Sequence, residues 1–98
     1  MKKFLFEASV MELVDAGRGT VEQREFFLFN DMVLVAKPQT RSKLLAYKAH
    51  IPIEFVRLKQ MPPNPALAHG VLLEHAADRS CVIMLSLRRY VVRVLVSI

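Results

Sequence analysis

Two apolar runs, 26–29 and 32–36, flank the dipeptide Asn30-Asp31. Both are rich in Phe, Val, Leu and Met. Asn and Asp tolerate the left-handed backbone that a tight turn needs, so the pattern predicts a hairpin of strands 24–29 and 32–37. A two-residue loop sets Phe29 against Met32, Leu28 against Val33 and Phe27 against Leu34. Both faces of this ribbon are apolar, so one packs on a core and the other is partly covered or mildly exposed. Upstream, residues 2–14 alternate loosely between apolar and polar, which predicts a first strand ending near Val14. Residues 15–20 form a turn around Gly17 and Gly19. Downstream, residues 37–43 are a polar loop, and Pro38 ends the preceding strand because it has no amide hydrogen to donate. Residues 44–53 read as a strand with Leu45, Tyr47, Ala49 and Ile51 on one side. Pro52 marks an edge or a bend, and 53–58 continue as a short strand. The prolines at 62, 63 and 65 make 61–65 a loop.

Two more apolar runs, 70–75 and 80–86, are joined by a hairpin connection at 76–79. In the last stretch Leu87, Tyr90, Val91, Val94, Leu95 and Ile98 recur at helical spacing, with Arg88, Arg89 and Arg93 off that face. Its valines favour a strand. We read a short helix, with Ser86 as its cap.

Composition narrows the class. The chain has 98 residues, 53% of them hydrophobic, which is enough for one packed domain and too many for a disordered one. Lys and Arg number 14 against 9 Asp and Glu, a formal charge of +5 that suits an acidic surface. Cys81 is the single cysteine, so no disulfide forms within the chain, and the three histidines lack metal-ligand spacing. An intracellular setting is the simplest inference. Glu7 interrupts the N-terminal apolar run too soon for a signal peptide, and the arginines of the last stretch make it a poor membrane span. Gly17-x-Gly19 lacks the rest of a phosphate-cradling loop, and no nucleophile elbow is present. No enzyme and no cofactor is expected.

Arg24-x-x-Phe27-Leu28-Phe29-Asn30-Asp31, followed by apolar residues and Lys37, resembles the second and third strands of a pleckstrin homology (PH) domain. It is most similar to the PH domains that follow the catalytic domain in Dbl-family Rho guanine nucleotide exchange factors. Ser9-Val10-Met11-Glu12-Leu13-Val14 also resembles the opening of the PH domain of the breakpoint cluster region protein, and Tyr47-Lys48-x-x-Ile51-Pro52-Ile53 fits the fourth strand of such domains. The resemblance covers residues 5–58. It implies a mainly β fold: a PH-like antiparallel sandwich or partly open barrel, closed by a short C-terminal helix. One domain is expected over 1–98. The lack of a tryptophan and the short tail leave an incomplete domain after about residue 86 as the alternative.

The resemblance also implies a site. PH domains that bind phosphoinositides gather cations at the open end, between the first/second and third/fourth strand loops. Here those positions hold Arg18, Arg24, Lys37, Arg41 and Lys43, with Lys48 on the following strand. Arg grips phosphate with two parallel hydrogen bonds and Lys acts as a point charge. The departures are as informative. Strong binders carry a lysine near the end of the first strand, where this chain has Glu12, Leu13 and Val14. Gln23-Arg24-Glu25 supplies one cation where strong binders have two, and Asp15, Glu22 and Glu25 lie close by. Weak attraction to phosphoinositide or anionic membrane is therefore expected, not a specific headgroup pocket. The implied function is a non-catalytic regulatory module of a Rho-family GTPase regulator, in contact with the adjacent exchange domain or its GTPase. A cytoplasmic location, peripheral at the inner membrane surface, goes with it. The alternative is a protein-interaction scaffold of the same fold without lipid binding. Nucleic acid is not an expected partner, because the phenylalanines sit in the hairpin and not on a base-stacking platform.

Overall fold

The computed structural model describes residues 3–39 and 44–97. The central hairpin forms as the turn chemistry requires. Strand β2 (Thr20–Phe29) pairs with β3 (Met32–Pro38), and the register sets Leu28 against Val33 and Phe27 against Leu34. β2 begins earlier than the apolar pattern suggests. Its charged start pairs with a long first strand, β1 (Phe4–Asp15), from Phe4↔Phe29 to Asp15↔Thr20. The turn between them is closed at Gly19, whose φ of +69° suits a residue without a Cβ.

Next come β4 (Leu45–Pro52), a 3-10 turn at Ile53–Phe55, then β5 (Val56–Gln60), β6 (Gly70–His75) and β7 (Asp78–Ser86). All pairings are antiparallel, in the order β4-β3-β2-β1-β7-β6-β5. β1 touches β7 in register only at Glu12↔Leu85. The sheet therefore bends there and folds its two halves over one core. Phe26, Leu28, Val33, Val35, Ile51, Leu73, Ile83 and Leu85 fill that core from alternate positions of their strands. Helix α1 (Arg89–Val96) closes one end with Val91 and Leu95, and Leu87 is buried just ahead of it.

Several expectations need correction. Lys37 and Pro38 belong to β3, paired with Ala46 and Leu45, and Ile53–Phe55 form a 3-10 turn ahead of β5. Leu45 and Tyr47 do not share a face with Ala49 and Ile51. Val35 pairs with Ala49 but Ala36 pairs with Tyr47, so β4 carries an extra residue, a β-bulge at Lys48. The slip reverses the faces: Ile51 is buried, whereas Leu45 and Tyr47 are 46% and 65% exposed. Ser86 does not cap the helix. It lies in β7 and its hydroxyl donates to the Ala68 carbonyl at 2.8 Å, while Arg88 takes the cap position without a side-chain bond. The connection at 76–79 is shorter than expected, because His75 already pairs with Asp78. Asp78 starts β7 and accepts bonds from the Ser80 amide (3.0 Å) and hydroxyl (2.6 Å).

The proline-rich segment after β5 is more than a connector. Met61 and Leu67 are buried against Leu13 in a second, smaller cluster on the outside of the sheet. Gly70 makes this possible: a Cβ there would run into the Met61 sulfur, with its Cγ 3.1 Å away and Leu67 Cδ2 3.2 Å away. Gly70→Ala is therefore expected to lower stability by about 1–3 kcal/mol, as overpacking does. Urea unfolding checks this. An unchanged midpoint would mean that Met61 moves aside without cost.

Candidate anion-binding site

The face that β2 turns inward decides what happens to the cations. Residues 22, 24, 26 and 28 share one face of β2, and Phe26 and Leu28 put that face inward. Arg24 follows them in and is 5% exposed. Across the ladder, Val10 pairs with Arg24 and Glu12 with Glu22. Glu12 is 7% exposed, and its Oε1 accepts a bond from Arg24 Nε at 2.9 Å. Arg24 Nη2 donates to Glu22 Oε2 and Nη1 to the Gln23 carbonyl, each at 2.8 Å. Every nitrogen of this guanidinium is thus already donating. The bulge in β4 brings Lys48 to the same carboxylate, with Nζ 3.5 Å from Glu12 Oε1.

Lys37 remains exposed at the end of β3. With Glu22, Gln23, Arg24, Pro38 and Gln39 it lines an open cleft of about 540 Å³. The hydrogen bond from Arg24, and then its charge, hold the Glu22 carboxyl below its ordinary range, with smaller contributions from Lys37 and Lys48. Arg18 does not line this cleft. It stands in the β1–β2 turn, where its amide donates to Asp15 Oδ1 at 3.1 Å and its Nε is 3.8 Å from Oδ2. Arg41 and Lys43 lie outside the described residues.

Arg24 and Lys37 therefore line one cleft beside Glu22, and Lys48 meets Arg24 only through the Glu12 carboxylate. Glu12 lies between Arg24 and Lys48, in contact with both cations. In sequence Glu12 registers only as a missing lysine. The signal that it faces inward is parity: an antiparallel turn at 15–20 puts it on the same face as Arg24. Glu25 and Gln23 turn to the opposite face, where Glu25 accepts bonds from Ser9 (2.7 Å) and Gln23 (3.2 Å). Burial pushes the Cys81 thiol up, with Asp78 acting in the same direction. Among the described residues no group of three His, Cys, Asp or Glu side chains is placed to hold a metal ion, and no helix is long and apolar enough to cross a membrane.

Among solved structures, the chain is similar to the linker and DH/PH domains of p115-RhoGEF (TM-score 0.66, 13% identity, 94% of this chain covered). It is similar to the DH/PH domain of human ARHGEF11 in a ternary complex with human RhoA and its inhibitor (TM-score 0.73, 8% identity, 98% covered). It is also similar to the DH/PH fragment of PDZRHOGEF in complex with human RhoA (TM-score 0.63, 10% identity, 86% covered). The chain has a PH-like fold. At these identities the likeness is one of architecture, and the PH-like domain spans 26%, 28% and 23% of those chains. No protein-family model matches its sequence, and no curated protein matches it either. The cleft beside Arg24 lies between the charged start of β2 and the end of β3.

Proposed function

We propose that this PH-like domain is a non-catalytic regulatory module of a Rho-family GTPase regulator, acting through contact with an adjacent exchange domain or its GTPase. One observation carries the reading: architectural similarity over 86–98% of the chain to DH/PH fragments of Rho exchange factors, two of them solved with RhoA. Membrane attraction is secondary in this proposal. Lys37, with Arg41 and Lys43 further along the chain, draws the domain weakly to an anionic leaflet at the cytoplasmic face, at about 1 kcal/mol per basic group. The engagement of Arg24 and Lys48 by Glu12 supports weak attraction over headgroup recognition. The same engagement favours a second reading, a protein-interaction scaffold without lipid binding.

Two assays separate these readings. In nucleotide exchange on a Rho-family GTPase, the domain alone is expected to be silent. Linked to a Dbl-type exchange domain it is expected to change that domain's rate. In co-sedimentation with anionic liposomes, binding is expected to be weak, to fall with salt and to be reduced in Arg18→Gln/Lys37→Gln. Exchange catalysed by the isolated domain would sink the first reading. Salt-insensitive absence of liposome binding by folded protein would select the scaffold.

A further inference from the structure

With Arg24, Lys48 and Arg18 facing carboxylates, the excess positive charge must be displayed elsewhere. One concentration lies far along the chain from the open-end cations. On β5, Arg57 and Lys59 are two residues apart and both exposed, while Leu58 between them packs on the core. Arg57 pairs across the ladder with Glu74 of β6. Together with His75, Ala76 and Arg79, these residues line a cleft of about 520 Å³. Three full positive charges there face one carboxylate.

That carboxylate forms an ion pair with one of them, Lys59 Nζ lying 3.1 Å from Glu74 Oε1, a buried oxygen that accepts no well-aligned hydrogen bond among the described residues. Arg57 and Arg79 form no ion pair among the described residues. Arg57 gives Nη1 to the Val56 carbonyl at 3.2 Å, which leaves Nε and Nη2 uncommitted. The nearby Asp78 is turned onto Ser80 and does not satisfy Arg79. His75 Nδ1 accepts the Ala77 amide at 3.1 Å, which fixes the proton of the neutral ring on Nε2 as one more donor at the rim.

The second observation is topological. β5 ends the sheet order, and among the described residues no backbone group of Val56–Gln60 bonds to a strand other than β6. A free edge accepts an extended chain through main-chain hydrogen bonds. We propose that the edge of β5 and this cleft bind an extended peptide carrying a phosphoserine or phosphothreonine. The peptide backbone lengthens the sheet beyond β5, and the phosphate lies between Arg57 and Arg79. A phosphomonoester carries nearly two negative charges and three acceptor oxygens, which matches two guanidinium groups better than a carboxylate does. A flat anionic membrane is the poorer occupant, because it cannot use the strand edge and meets Glu74 and Asp78 in the same approach. This inference is independent of the regulatory reading above.

The test uses the whole domain and two fluorescent degenerate peptide libraries, identical except that one has a fixed central phosphoserine and the other serine. Anisotropy is expected to show binding of the phosphorylated library alone. Amide shifts are expected to concentrate at Val56–Gln60 and in the 75–79 turn. Arg57→Gln/Arg79→Gln is expected to weaken binding about tenfold or more, since each charge-assisted bond is worth roughly that factor, with an unchanged melting curve because both side chains are exposed. Equal binding of the two libraries, or no binding of either, overturns the proposal. So does binding only to phosphatidylserine vesicles, or binding whose shifts fall at Arg24 and Lys37.

Discussion

Glu12→Gln is expected to destabilise the domain by about 3 kcal/mol and, at the same time, to raise its affinity for inositol trisphosphate about tenfold. The two effects share one cause. Glu12 is nearly buried and its Oε1 faces both Arg24 Nε (2.9 Å) and Lys48 Nζ (3.5 Å). Removing one member of a buried pair leaves the other charge without its partner, and such losses run to about 3–5 kcal/mol. Glutamine keeps the shape and one acceptor oxygen, which places the expected cost at the low end. It also releases the cations at the mouth of the Arg24–Lys37 cleft, and a recovered charge-assisted bond to phosphate is worth about a factor of ten. Urea unfolding reads the first effect and calorimetric titration with inositol trisphosphate the second. A double change, Glu12→Met/Arg24→Met, should cost less than the sum of the single ones, because it removes charge and counter-charge together. If Glu12→Gln leaves stability and phosphate affinity at wild-type values, Glu12 is not the counter-ion of this site.

The same residue explains how far sequence reading reaches. The 24–37 hairpin is legible because its turn chemistry and apolar runs agree, and two-residue loops fix register by simple counting. Helix α1 is legible because Val91 and Leu95 keep a four-residue spacing that outweighs their β-branched neighbours. The bulge at Lys48 is not legible. Nothing in Tyr47-Lys48-Ala49 marks an extra residue, yet it reverses the exposure of Leu45 and Tyr47 and delivers Lys48 to Glu12. Nor does composition show that Met61 and Leu67, in a stretch rich in proline, bury themselves against Leu13. Both misses are tertiary: they depend on which strand lies opposite, and a period of two cannot carry that information. Of the expected cations, Arg18 stands apart in the β1–β2 turn, while Arg24 and Lys48 converge on Glu12. What sequence left out was the carboxylate between them.

The sharpest check on the register of the sheet lies in two adjacent phenylalanines. Phe26→Ala is expected to cost about 4 kcal/mol and Phe27→Ala about 1 kcal/mol, although the side chains are identical. Phe26 is fully buried among Val10, Leu28, Val33, Val35 and Leu85. Truncating a buried phenylalanine loses its transfer energy and leaves a cavity, for a total of about 3–5 kcal/mol. Domains of this size are stable by roughly 5–15 kcal/mol, so this single change removes a large part of what holds the fold. Phe27 points to the opposite face, into a shallow apolar groove with Phe29, Leu34, Ala36, Leu45 and Tyr47. Water already reaches it, so less is lost and the neighbours can settle. Because side chains alternate along a strand, a one-residue slip of β2 would exchange these roles. Equal losses from the two substitutions would place both faces of the hairpin in contact with other protein, and a larger loss from Phe27 would mean that β2 is inverted relative to the core. The second result would also move Arg24 off the inner face, since it is two residues from Phe26, and would separate it from Glu12. The stability of two alanine variants thus tests the geometry on which the phosphate prediction rests, without any ligand.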